Sequence, residues 1–126
     1  MESNKSAMKL ADIKEILRAK VIVGHEDLDQ YVTAGTGSDL MSDILRGPTN
    51  GAVLLTGLNN IQVIRTAVIA GLKAVVLVRG KQPSPEMIEH ALEHKLPLLS
   101  TPFTMYSSCG RLFSKGLRGI EQKVSR

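Results

Sequence analysis

The stretch AVLLTGLNNIQVIRTAVIAGLKAVVLVRG, residues 52–80, decides the fold. Its opening run, Ala52 to Thr56, is continuously apolar, the pattern of a strand buried on both faces of a sheet. Thr56-Gly57 ends that run. IQVIRTAVIA then reads as a helix, with Asn59 or Asn60 as its cap and Gly71 as the C′ residue that closes it. KAVVLVRG follows as a second buried strand. Strand, helix and strand in this order imply a parallel pair joined by a crossover.

The same alternation continues toward the C-terminus. SPEMIEHALEHK begins with Ser84 at the N-cap, Pro85 at N1 and Glu86 near the positive end of the helix dipole. LPLLS is a short strand, and TMYSSCGRLFSKG a last helix with Thr104 as cap and Gly116 at its end. Upstream, Leu10, Ile13, Ile16 and Leu17 recur at helical spacing, and KVIVG is a short strand over Val21–Val23. QYVTAGTG is an extended segment, and Ser38 or Asp39 can cap a short helix over Leu40–Leu45 that RGPTNG stops. The expectation is one α/β domain with a mostly parallel sheet flanked by helices. Residues 1–8 would form a disordered tail, 9–117 the domain and 118–126 a basic tail.

Composition bounds the function. Of 126 residues, 43% are apolar and 22% charged, which argues against a disordered chain. No apolar stretch reaches the roughly 18 residues of a membrane span. The polar start MESNKSAM lacks a secretory core, and Cys109 stands alone, so a reduced, cytoplasmic setting is expected. The net charge of +4 is concentrated at the end, where Lys115, Arg118, Lys123 and Arg126 face only Glu121. A basic tail without a nucleic-acid-binding signature reads as a solvated end, so nucleic acid is not an expected partner.

The turn after Thr56 lacks the second glycine and the lysine of a P-loop. GTGSDL, residues 35–40, starts like a dinucleotide fingerprint but has Leu40 where the third glycine belongs. What remains is positional. Ligands of parallel sheets bind beyond the carboxyl ends of the strands, where helix N-termini gather. Thr56, Gly57, Asn59, Asn60, Arg79, Gly80, Lys81, Ser100, Thr101 and Thr104 would meet on that rim, a place suited to an anion or nucleotide phosphate.

Catalysis has less support. His90 and His94 have metal-compatible spacing, but HALEH lacks the H-E-x-x-H order and shows no third ligand, so no metal is expected. His25 lies in a charged turn. Cys109 reads as an inert thiol on an apolar stripe with Met105, Leu112 and Phe113, while Ser107 and Ser108 have no partner base. Arg65 lies on a helix apolar enough for a second subunit to cover it. No catalytic residue and no cofactor are expected.

GAVLLTGLNNIQVIRTAVIAGLKAVVLVRGKQPSPEMIEHALEHKLPLLSTPFTMYSSCGRL resembles a DRTGG domain, the bacterial-type module similar to the N-terminal domain of HPr kinase/phosphorylase. The likeness extends upstream through LADIKEILRAKVIVG and SDLMSDIL. The family's Asp-Arg is replaced in the LNN region, and its Thr-Gly-Gly by VRG. Such domains accompany CBS pairs in regulated pyrophosphatases, so the resemblance implies a non-catalytic, homodimeric regulatory module. It implies no kinase activity, which belongs to a separate P-loop domain. The leading expectation is a module that senses a nucleotide or small phosphorylated ligand at the rim, with a partner enzyme. The alternatives are a small enzyme acting on a phosphorylated metabolite held by Arg79 and Lys81, and a ligand-free scaffold subunit.

Overall fold

The computed structural model describes residues 7–121. The chain runs β1 (Met8–Lys9), α1 (Leu10–Leu17), β2 (Lys20–Val23), a 3-10 turn (His25–Asp27), β3 (Tyr31–Val32), β4 (Gly35–Gly37) and α2 (Met41–Arg46). It continues with β5 (Val53–Thr56), α3 (Ile61–Ala70), β6 (Ala74–Leu77), α4 (Pro85–Glu93), β7 (Leu98–Ser100) and α5 (Met105–Ser114). The five-stranded main sheet has the order β2-β7-β6-β5-β4, in which β4 to β7 are parallel and β2 joins β7 antiparallel. β1 and β3 form a separate two-stranded ribbon.

Side-chain alternation along the strands builds two apolar layers. Val53, Leu55, Ala74, Val76 and Leu99 face one side, where Leu10, Ile13 and Leu17 of α1 and Leu112 of α5 cover them. Leu54, Val75, Leu77 and Leu98 face the other, against Ile44 of α2, Val63, Ile64 and Ala67 of α3, and Met87 and Ala91 of α4. Every residue of β5, β6 and β7 is buried, as their unbroken apolar sequences require. The expected α/β fold and parallel sheet are present. The core is wholly aliphatic, and none of the four aromatic rings belongs to its buried residues.

The helix ends expected from sequence hold where a short polar side chain has no competing partner. Asn60 accepts from Gln62 N–H, Ser84 from Met87 N–H and Thr104 from Ser107 N–H. Gly71 ends α3 at φ 73°. The start of α2 differs: Leu40 occupies the cap position, and its N–H donates to Ser38 Oγ just outside the helix. Asp39 instead crosses to β5, accepting from Thr56 Oγ1 at 3.0 Å and from the Gly57 N–H at 2.7 Å. The carboxylate satisfies the buried Thr56 hydroxyl, which a helix cap could not do.

Packed chain extends past both boundaries expected from the sequence. Residues 1–6 and 122–126 lie outside the described residues. Among the described residues, Met8 pairs with Val32 and is buried, so packing begins before residue 9. At the other end Leu117 is buried, the Arg118 carbonyl accepts from Gly35 N–H, and Gly119 bridges to Gly35. The chain after α5 thus returns to the β4 edge rather than leaving at residue 118.

Gly37 admits close contact between β4 and α5: a Cβ there would lie 2.9 Å from Cys109 Sγ and 2.9 Å from Met105 Sδ. Met105 can swing aside, whereas the short Cys109 side chain holds the helix off. Gly37→Ala is expected to destabilise the fold by about 1–3 kcal/mol in urea unfolding, with part of the loss recovered on adding Cys109→Ala. Asp39→Ala strands the Thr56 hydroxyl and should cost about 1–2 kcal/mol in the same measurement.

Candidate functional site

The strand register brings the expected rim together. Thr56 lies beside Leu77, and Leu77 beside Ser100, so three parallel strands end at one edge of the sheet. Turns that begin α3, α4 and α5 leave from that edge.

Most polar groups of the rim bind one another. Besides the Asp39 clasp, Thr56 Oγ1 accepts from Leu58 N–H at 3.2 Å. Asn59 Nδ2 donates to the Gln82 carbonyl at 3.1 Å, tying the β5–α3 turn to the β6–α4 turn. Ser100 Oγ donates to the Lys81 carbonyl at 2.8 Å, and Thr101 Oγ1 to the Leu17 carbonyl at 2.6 Å. The Arg79 N–H donates to the Phe103 carbonyl and the Gly80 N–H to the Thr101 carbonyl, at 2.7 and 2.8 Å. Asn60 and Thr104 cap their helices. Of the ten expected site residues, therefore, eight build the rim.

The other two expose side chains without partners. Neither the Arg79 guanidinium nor the Lys81 ammonium makes a hydrogen bond or ion pair among the described residues. Arg79 sits at φ 59°, followed by Gly80 at φ 68°. The other two non-glycine residues at positive φ, Arg18 and Lys95, each follow a helix; Arg79 follows a strand. The left-handed geometry costs roughly 1–2 kcal/mol, and the bonds to Phe103 and Thr101 hold it in place.

A second feature was not legible from the motifs. A groove of 530 Å³ lies between β4 and α5, lined among others by Gly35, Gly37, Tyr106, Gly110, Phe113 and Arg118. Tyr106 is 89% and Phe113 58% exposed. The Arg118 guanidinium lies 4.6 Å from the Phe113 ring centroid. The seven-residue spacing of the two rings, with Gly110 between them, was the available signal: it places both on one helical face. Phe113 therefore does not lie on the buried stripe with Leu112.

The remaining candidates show no reactive arrangement. Cys109 is half-buried, and burial pushes its thiol pKa up, away from the nucleophilic thiolate. Ser108 is buried with no hydrogen-bond partner for Oγ, hence no base. Arg65 contacts Gln62 on the exposed side of α3, and His25 is exposed in the 3-10 turn. None of the described helices is long and apolar enough to cross a membrane.

Among solved structures, the CBS and DRTGG domains of the regulatory region of Clostridium perfringens pyrophosphatase, complexed with its activator diadenosine tetraphosphate, share this fold. The TM-score is 0.73 at 18% identity, over 92% of this chain. The present chain spans about half of that one, 50% of its length. A search of curated proteins finds no match. The DRTGG domain family model matches residues 12–113, nearly the whole described fold. The chain belongs to the DRTGG domain family.

Proposed function

We propose that this chain is a non-catalytic regulatory module of the cytoplasm that dimerises and senses a nucleotide or another small phosphorylated ligand. The observation that carries the ligand half is the pair Arg79 and Lys81. Their side chains stand uncommitted on a rim whose neighbouring amides and hydroxyls are already engaged. Such a frame offers positive charge to a phosphate without offering a nucleophile or base. The solved relative, drawn from a regulatory region and bound to a dinucleotide activator, supports the same reading.

The dimer half rests on the aromatic rings. Tyr106 and Phe113 flank an apolar groove along a glycine-rich edge strand, and exposed rings of this kind are enriched at protein interfaces. A second copy can set its own ring into the groove, an isologous contact in which both partners use the same face. A partner enzyme would be regulated by the assembled pair.

Two measurements test the halves separately. A thermal-shift series with adenine nucleotides, diadenosine tetraphosphate, acyl phosphates and sugar phosphates should raise stability by about 2.7 kcal/mol at 100 times Kd. Arg79→Ala and Lys81→Ala should each reduce that shift. No shift with any compound, or unchanged shifts in both variants, refutes the sensor. Light scattering should give twice the chain mass for the wild type and a monomer for Tyr106→Glu/Phe113→Glu. A monomeric wild type refutes the dimer.

A further inference from the structure

The segment HALEH, residues 90–94, lies on α4 and at its cap. The helix turns Glu93 back onto the face shared by the two histidines. Ligand atoms of His90, Glu93 and His94 all lie within 4.8 Å of one another. The imidazoles are stacked with centroids 6.4 Å apart and planes inclined by 27°. Glu93 Oε1 stands 4.0 Å from His90 Nδ1, too far for a hydrogen bond.

We propose that His90, Glu93 and His94 form a surface site for a divalent transition-metal ion of the zinc type, with a fourth position open. Two imidazoles and one carboxylate are a zinc donor set, and one open position leaves room for water or a ligand from another molecule. Zinc bonds of about 2.0–2.2 Å bring tetrahedral donors to about 3.3 Å from each other. Side-chain rotation closes that gap, because all three residues reach solvent.

Three further observations favour a cation here. The helix is anchored by buried Met87 and Ala91, so the backbone under the donors is fixed. Its C-terminal end carries the negative pole of the dipole. Between Ser84 and His94 there are three glutamates and no lysine or arginine, and Lys95, next after His94, is the one cation adjacent in sequence. The sequence order H-x-x-E-H hides the third ligand from a search for H-E-x-x-H, yet one helical turn brings the same groups together.

The site lies at the end of α4 that leads into β7, away from the rim where α4 begins, and it does not depend on the sensor reading. Zn2+ added to the metal-free full chain in calorimetry should bind saturably, one ion per chain. His90→Ala and His94→Ala should each weaken binding by about tenfold or more, since loss of even an outer hydrogen-bond partner costs that much. Glu93→Gln should weaken it less. His25→Ala and Cys109→Ser should bind as the wild type does. The histidines are on the surface, so equal melting temperatures in EDTA verify that the variants fold. The proposal is overturned if the wild type takes up no saturable Zn2+, if the His90→Ala/His94→Ala variant binds as tightly as the wild type, or if either control loses the ion.

Discussion

Two central strands, β5 and β6, have no face that water can reach. That constraint organises the rest of the molecule. Four consecutive buried residues in each strand, all aliphatic but Thr56, demand backbone partners on both sides and apolar cover above and below. β4 and β7 provide the partners, while α1 and α5 cover one face and α2, α3 and α4 the other. Because β5, β6 and β7 run parallel and each is followed by a helix that returns along the sheet, their polar turns land together at one edge. The rim is thus a by-product of how the core is closed.

The rim then spends its polarity on rigidity. Asp39, Asn59, Ser100 and Thr101 join segments far apart in sequence, the longest link spanning Leu17 to Thr101. A surface cross-linked this way holds the three turns in fixed positions relative to one another. Arg79 and Lys81 hold the only two expected-site side chains left uncommitted among the described residues. The aromatic rings are likewise absent from the buried core, and Tyr106 and Phe113 lie exposed beside the β4–α5 groove.

The regular part of the fold was legible because each element carries its own signal. Ala52–Leu55 and Ala74–Leu77 are unbroken apolar runs, and Asn60, Ser84 and Thr104 act on amides two or three residues away. What escaped depends on distant partners. Met8–Lys9 is a strand only because Val32 and Tyr31 lie opposite, and Asp39 leaves its cap position because a buried hydroxyl waits seventeen residues on. The return of Arg118 to Gly35 has no local marker either. For the rim, the strand pattern brought its residues to one edge of the sheet but could not say that eight of them would be held by partners such as Asp39, Gln82 and Leu17. Nor did it show the groove, since GTG carries no side chain that announces an edge.

The two margins of the main sheet are unlike. β2 enters antiparallel; its exposed Lys20 and the register break between Val21 and Val23 discourage another strand from docking. β4 is short and glycine-rich, touched on its outer side by the bridge from Gly119. The Gly35 N–H on that margin is already bonded to the Arg118 carbonyl, so the chain after α5 takes part of the backbone that an added strand would need. Open-ended strand pairing is thereby discouraged at both margins, by charge and a register break on one side and by the chain's own return on the other.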